Sequence, residues 1–195
     1  MENRKADAVF SGRAMIITIQ QREFSWRSEY EIETPSCIYF AQKKYLSFLG
    51  QIKLIAPHER LVAIITRYFS LFRAKYDFEL TDGPVYGFRC EKAWRGVYVC
   101  ENGEETFHLY QHKGLNFSIF QNDVQIAAFT KNKVKMGAGD CYEIRMNDDA
   151  NLIVIICMTL AIDSSEFDDY SSTMTYDLGS IGPEARPFDN SWEPS

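Results

Sequence analysis

The sequence predicts a mainly β protein with one helix: a closed, twelve-stranded antiparallel barrel around a buried hydrophobic helix at about residues 149–162. Between Leu152 and Ile162 the one polar residue is Thr159, and a helix without a polar face must be buried. This apolar run is 11 residues long, whereas a membrane span needs about 20. Residues 14–147 form short runs of alternating polarity between turn residues, a pattern typical of a barrel or a sandwich.

The first four predicted strands show the alternation of half-buried strands. In the second run, every other residue from Phe24 to Ile32 falls on one face, because successive side chains of a strand point to opposite sides. Pro35 and Pro57 lie in the segments that separate the runs. These four strands are Ala14–Gln20, Phe24–Glu33, Cys37–Lys44 and Ser47–Ala56.

The next four predicted strands are bounded by strong turn signals. Residues 81–84 read TDGP and end one strand. Asn102-Gly103 follows another strand and is the strongest short hairpin signal in a sequence. The four strands are Leu61–Arg67, Ala74–Leu80, Val85–Glu91 and Gly96–Glu101.

The last four predicted strands complete a set of twelve at a spacing of about ten residues. Asn122-Asp123 is expected to form a tight turn between two of them. A Gly-Ala-Gly segment at residues 137–139 precedes the final strand. The four strands are Thr106–His112, Leu115–Gln121, Val124–Val134 and Cys141–Met146.

The buried helix favours a barrel over a sandwich. A closed sheet can surround a helix with apolar side chains and has no exposed edge, whereas the core of a sandwich is too thin to hold one. Twelve strands also enclose more space than the eight that side chains can fill. Asn147 or Asp148 is expected to cap the helix, and Asp148 and Asp149 suit the positive end of its dipole.

Composition is that of a globular protein with a substantial core, since 46% of the residues are hydrophobic and 14% are aromatic. The five cysteines form no C-x-x-C pair, which predicts free thiols in a reducing compartment. The N-terminal residues do not resemble a secretory signal. We therefore expect a cytoplasmic location, with peripheral attachment to a membrane as an open alternative.

Charge divides the chain into a neutral body and an acidic tail. Residues 164–195 contain seven acidic residues against Arg186, a balance of −6 that equals the net charge of the whole chain. We assign residues 1–13 to an N-terminal extension, residues 14–163 to the barrel with its helix, and residues 164–195 to an acidic, largely flexible tail. A neutral body with an acidic tail argues against nucleic-acid binding, which uses a basic surface.

Two stretches resemble the tubby C-terminal-like superfamily, in particular its phospholipid-scramblase-like and LURP-one-related branch. Residues 65–78 read ITRYFSLFRAKYDF, which resembles the family's basic residue and Ser-Leu step followed by a Tyr-x-apolar strand. Residues 117–163 contain the segments Ile126–Lys131 and Tyr142–Ile144 before the helix that ends at Asp163. The resemblance covers roughly residues 14–163 and depends mainly on the order of the elements.

This resemblance implies a twelve-stranded barrel around a hydrophobic C-terminal helix. Tubby-type domains bind phosphoinositide headgroups, and scramblases are held at membranes by lipidated cysteines or calcium-linked segments. The chain shows no proline-rich N-terminal arm, no cysteine cluster of the palmitoylated kind and no C-a-a-X box. No catalytic residues carry over from the family, and its basic binding positions cannot be matched here residue by residue.

The sequence contains no motif for catalysis or metal binding: a nucleophile elbow, an H-E-x-x-H pattern and a Walker loop are all missing. His108 and His112 lie four residues apart on a predicted strand, which separates them by about 13 Å at ~3.3 Å per residue. That distance is too large for a shared metal ion. We therefore expect a protein that is not an enzyme and that has no metal or other cofactor.

Six basic residues are the candidate ligand-binding residues. Three of them alternate along the eleventh predicted strand and its extension, so they project from one face, where they could bind an anionic lipid headgroup. The other three are expected nearby. The alternative is a solvated outer face whose lysines discourage edge pairing. The six residues are Lys131, Lys133, Lys135, Arg145, Lys92 and Arg95.

Two functions remain open. The leading one is a non-enzymatic binding or scaffold module that recognises an anionic lipid headgroup such as a phosphoinositide. The alternative is an intracellular protein-interaction component without a lipid ligand, whose tail docks on a protein partner or on a second copy. The tail's aromatic residues are Phe167, Tyr170, Tyr176, Phe188 and Trp192. Neither function requires a transmembrane span, and the oligomeric state is left open.

Overall fold

A computed structural model describes residues 14–24, 27–44, 50–68, 75–92, 95–133, 140–166 and 184–195 of the chain. Within these residues there are twelve strands, a short 3₁₀ turn at Lys113–Leu115 and one α-helix. The first six strands are β1 (Met15–Phe24), β2 (Arg27–Glu33), β3 (Ile38–Lys44), β4 (Gln51–Ala56), β5 (Arg60–Tyr68) and β6 (Lys75–Leu80). The other elements are β7 (Val85–Lys92), β8 (Val97–Glu101), β9 (Thr106–Gln111), β10 (Asn116–Gln121), β11 (Val124–Lys133), β12 (Asp140–Met146) and α1 (Leu152–Glu166).

The twelve strands form a closed antiparallel barrel, as the sequence predicts. Each strand pairs with the next along the chain, and β1 pairs with β12 to close the ring. The closing pair aligns Ile17 with Ile144 and Ile19 with Tyr142. Closure leaves no strand with an unpaired edge, so backbone groups along the sheet find partners within it.

The interior of the barrel is filled by the inward side chains of the strands and by α1. Residues 154–164 of the helix are all buried. The apolar residues among them belong to one hydrophobic cluster with strand residues from all round the ring, including Ile17, Ile65, Phe78 and Phe117. The helix therefore occupies the centre of the barrel, which confirms the predicted architecture.

The helix begins three residues later than predicted and ends four residues later. Asn151 caps it: its backbone carbonyl accepts from the Ile155 N–H at 3.1 Å, and its side-chain oxygen accepts from the Val154 N–H at 3.3 Å. The predicted cap at Asn147 or Asp148 is wrong, because these residues precede a turn in which the Asn147 carbonyl accepts from the Ala150 N–H. Residues 164–166, assigned to the tail from sequence, belong to α1.

The barrel has two ends of different character. The odd-numbered strands end at one of them, which we call the basic end, and the even-numbered strands end at the other, the acidic end. At the acidic end, Asn122 and Asp123 have positive φ angles of 51° and 63°, which confirms the predicted tight turn. The Asn102 side chain accepts from the N–H groups of Glu104 and Glu105 at 2.9 and 2.8 Å, in the predicted hairpin.

Candidate functional site

The inner wall of the barrel changes from apolar to polar towards the basic end. Side chains of a strand alternate between its two faces, so every second residue points inward. On β1, β3, β11 and β12, the inward residues Ile19, Ala41, Phe129 and Ile144 are buried and apolar. Two residues nearer the basic end, the same strands carry Gln21, Lys43, Lys131 and Tyr142, all 6% exposed or less.

Asp163, near the end of α1, is the centre of this polar region. Its side chain is 0% exposed. One carboxylate oxygen accepts a hydrogen bond from the Tyr30 hydroxyl at 2.7 Å, and the other accepts from the Tyr142 hydroxyl. The Lys131 ammonium lies 3.5 Å from the latter oxygen. Strands β2, β11 and β12 thus all contribute a partner to one helical carboxylate.

Lys131 joins Asp163 to a second carboxylate at the start of β12. The Lys131 nitrogen lies 2.6 Å from an Asp140 oxygen, and the side chain of Asp140 is 26% exposed. The backbone N–H of Asp140 donates to the side-chain oxygen of Gln21 at 3.3 Å. We call these residues, with Tyr30 and Tyr142, the Asp163 cluster. It extends from the buried centre of the barrel to its partly exposed rim.

A second group of polar side chains lies beside the cluster. Burial raises the pKa of the Tyr76 phenol, an effect opposed by the nearby charge of Arg67 and by the Ser164 hydroxyl and reinforced by Asp163. Tyr76 and Arg67 stand opposite each other on β6 and β5. Because burial disfavours the phenolate, Tyr76 stays a neutral hydroxyl across the physiological pH range.

The cluster compensates charges that would otherwise be costly. A buried carboxylate is strongly disfavoured unless it is paired and hydrogen-bonded. The C-terminal end of a helix also carries a partial negative charge, which disfavours Asp163 and favours the neighbouring cation of Lys131. Lys131 and the two tyrosine hydroxyls therefore offset the cost of burying the carboxylate. Apolar residues could fill the same space without that cost, so packing alone does not require this polar cluster.

The lysines predicted from β11 do not form one outer patch. Lys131 is buried inside the barrel and paired with Asp163 and Asp140, because its position has the same parity as the core residue Phe129. Lys133 is the last residue of β11 and pairs in register with Asp140. Lys135 lies outside the described residues.

The other three predicted residues are also separated. Arg145 lies one residue before the end of β12, opposite Ile16 and Ala128, on the outer face near the acidic end. Lys92 is exposed at the end of β7, 3.8 Å from the Glu91 carboxylate, and Arg95 is exposed in the connection to β8. The structure therefore brings Lys92 and Arg95 to the end that holds the Asp163 cluster, and places Arg145 far from it.

Metal binding finds no support in the described part of the chain, where no group of three or more His, Cys, Asp or Glu side chains could hold an ion. His112 lies beyond the end of β9 and is hydrogen-bonded through Nε2 to the Ser118 hydroxyl at 2.7 Å. No helix among the described residues is long and apolar enough to cross a membrane.

Comparison of the chain with protein-family models, with curated proteins and with solved structures finds no match. The resemblance to the tubby-like superfamily consequently stays a prediction from the residues that carry it.

Sequence reasoning missed most of the Asp163 cluster. Asp163 is predicted only as the residue that ends the helix, and Tyr30 and Tyr142 look like ordinary core aromatics. One signal was available in the sequence. Lys43 and Lys131 each fall on the same face of their strand as the apolar residues that point into the barrel. A lysine at an inward position predicts a buried acidic partner or a polar site.

Proposed function

We propose that this chain is a non-enzymatic binding module that recognises an anionic group, such as a phosphoinositide headgroup, at the basic end of its barrel. The observation that carries the proposal is a separation of charge along the barrel axis. The charged residues concerned lie at the strand ends and in the described connections.

Acidic residues dominate the connections at one end of the barrel. The connections there comprise residues 34–37, 57–59, 81–84, 102–105, 122–123 and 147–151. They contain seven carboxylates and neither lysine nor arginine. The seven are Glu59, Asp82, Glu104, Glu105, Asp123, Asp148 and Asp149.

Basic residues dominate the opposite end. Strand termini and described connections supply eight of them: Arg27, Lys43, Lys44, Lys75, Lys92, Arg95, Lys113 and Lys133. The acidic residues at this end are fewer: Glu23, Glu91, Asp140, Asp163, Glu166 and Glu184. The buried Lys131 and the charge of Arg67 add to the polar lining of the same end. The barrel therefore presents a net positive field at one end and a negative field at the other.

Such a charge distribution orients a protein towards an anionic surface. A negative membrane attracts Lys and Arg side chains by about 1 kcal/mol each within a Debye length. The acidic end is repelled by the same surface, so the two ends together favour one orientation. On this proposal the protein acts in the cytoplasm as a peripheral membrane component.

The test is co-sedimentation with vesicles at ~0.15 M salt, with neutral lipid or with added phosphoinositide or phosphatidylserine. The test variant is Lys92→Glu with Arg95→Glu, both exposed at the basic end. The control is Lys53→Glu with Arg60→Glu, which makes the same charge change on the outer wall and at the acidic end. Two charge reversals at about 1 kcal/mol or more each predict a loss of at least tenfold in binding to anionic vesicles.

The control variant is expected to bind within about threefold of the natural chain, because Arg60 lies at the acidic end and Lys53 on the outer wall of β4. Equal losses in the two variants would mean that overall charge, and not the basic end, determines binding. Absence of binding by the natural chain would reject the proposal. Preference for phosphoinositide over phosphatidylserine at equal charge would distinguish a headgroup site from general attraction.

A further inference from the structure

Residues 184–195, which we call the C-terminal strap, lie against the outer wall of the barrel. The strap begins where the Glu184 carboxylate accepts from the Lys113 N–H at 3.4 Å, near the basic end. It finishes where the Ser195 N–H donates to the side-chain oxygen of Asn147 at 2.9 Å, at the acidic end. Between these points it contacts side chains of β9 and β10 and of the turn that joins β10 to β11.

Arg186 is held in an aromatic pocket on this wall. Its guanidinium carbon lies 4.0 Å from the ring centre of Phe120 and 5.4 Å from that of Tyr110. These two rings meet edge to face with their centres 5.5 Å apart. One guanidinium nitrogen is 3.1 Å from the Asp123 carboxylate. The pocket thus combines cation–π contacts with an ion pair, which together suit arginine better than lysine.

Phe188, two residues further along, covers His112. The two ring centres are 5.0 Å apart. Ser118, which is hydrogen-bonded to His112, lies between the core residues Phe117 and Ile119 and therefore faces outward. Ser118, its register partner Ala128 and His112 are only 2–3% exposed. Ile16, on the outer face of β1, is by contrast 54% exposed. The face beside His112 is therefore covered.

The strap does not bind as an added strand. A closed barrel has no edge to which a peptide could pair, and the strap contains no strand. Apart from the hydrogen bonds at its two ends, it is held by the side chains of Arg186 and Phe188, which enter two adjacent sites. Arg186 and Asp123 remain partly open to solvent at 30% and 90% exposure, as expected of a contact that can be exchanged.

We propose that the outer wall of β9–β11 is a docking site for protein segments that carry an arginine and, two residues later, an aromatic residue. The strap is its occupant within the same chain, and a segment of a partner protein with this chemistry competes for the same wall. This site is separate from the basic end, and its test contains no lipid.

The experiment measures fluorescence anisotropy of a labelled peptide of residues 184–195, titrated with full-length protein. The double variant Arg186→Ala with Phe188→Ala weakens the chain's own strap and leaves the wall intact. We expect saturable binding to this variant, and binding at least about tenfold weaker to the natural chain, because a tethered strap competes at high effective concentration. A peptide with Arg186→Ala should bind at least about tenfold more weakly than the natural peptide.

Arg22→Ala is the matched control on the full chain, since Arg22 is exposed on β1, outside the wall of β9–β11, and pairs with Glu31. It should leave peptide binding at the level of the natural chain. Circular dichroism establishes that each variant is folded. A folded double variant that does not bind the peptide would overturn the proposal, as would equal affinity for the natural and the Arg186→Ala peptides.

Discussion

Asp163 carries a carboxylate into the interior of the barrel, and three strands supply the side chains that compensate it. The contacts come from Tyr30, Tyr142 and Lys131, which are distant in sequence and meet only because the ring is closed. A buried charge of this kind contributes little to stability while it is paired, and costs several kcal/mol when one partner is removed. Its partners are therefore more sensitive to substitution than their apolar neighbours.

Replacement of the cation tests this interpretation. Lys131→Met leaves the Asp163 carboxylate buried without its ammonium, and we expect the free energy of unfolding to fall by about 3–5 kcal/mol. Adding Asp163→Asn to the same chain removes the unpaired charge and should recover part of that loss. Urea denaturation of the two single variants and the double variant measures the coupling.

The outer-wall change Lys53→Met serves as the control and should alter stability by no more than about 0.5 kcal/mol. If the losses of unfolding free energy in the two single variants simply add in the double variant, there is no coupling energy between Lys131 and Asp163. The proposed compensation would then be wrong.

His112 is a second residue whose environment sets its protonation. Burial lowers its pKa from 6.5, and the Glu184 carboxylate and the Arg186 backbone act in the opposite direction. Among the described residues, the charged groups on the elements around it are Glu184 and Arg186 of the strap and Lys113 of the 3₁₀ turn, whereas β10 presents the neutral Ser118. The folded state therefore favours the neutral ring.

This predicts a dependence of strap docking on pH. A depressed pKa means that the contribution of His112 is complete above pH 6.5 and declines as the pH falls through the lower folded value. Hydrogen exchange of the strap and of β10 should therefore quicken below pH 6.5 in the natural chain. His112→Gln, which does not titrate, should remove the dependence. Identical pH profiles for the two proteins would show that another group controls docking.

At the scale of elements, the helix shows which boundaries local sequence determines. Its start follows from chemistry within three residues, because the Asn151 side chain accepts from the Val154 N–H. Its end does not, because the acidic residues from Asp163 onward resemble the start of the tail in sequence. The tyrosines and the lysine on other strands compensate the Asp163 carboxylate, and α1 continues to Glu166. Local signals predicted the element, and tertiary partners determined its length.

The cap can be tested directly. Asn151→Ala should lower the free energy of unfolding by about 0.5–2 kcal/mol, the usual cost of losing an N-cap side chain. Asp148→Ala, at the position favoured from sequence, should change it by about 0.5 kcal/mol or less. Thermal or urea unfolding of both variants shows whether Asn151 or Asp148 caps the helix. A larger loss of stability at Asp148 would support the cap predicted from sequence.

Strands show the same division between local and distant causes. Tight turns at Asn122-Asp123 and Asn102-Gly103 were predictable, because their conformations depend on the turn residues themselves. Strand β1, however, runs to Phe24, beyond the predicted end at Gln20. It continues because Gln21, which looks like a terminating polar residue, is buried against Tyr30 and Asp140. Strand and helix ends are predicted wrongly where a polar residue, such as Gln21 or Asp163, is buried by partners that are distant in sequence.

At the scale of the whole molecule, the sequence predicted the barrel and its central helix, and it did not predict where the charges meet. The architecture follows from the alternation of apolar and polar residues along the strands and from one continuous apolar run. Both are local properties of the sequence. The site depends on which side of the wall each basic residue faces and at which end it lies. Lys131, Arg145 and Lys92 look equivalent in sequence, and closure separates them into interior, outer wall and rim.

Closure of the ring between β1 and β12 also has a consequence for biosynthesis. The first strand begins at Met15 and its partner ends at Met146, and the helix that fills the ring follows only at Leu152–Glu166. A growing chain cannot complete the wall until β12 has been made, and α1, which is made after β12, must be enclosed by the twelve strands made before it. Folding is therefore dominated by distant contacts and is slow. A nascent chain that stops before Leu152 has an unfilled apolar interior, which makes α1 the element that commits this barrel to its folded state.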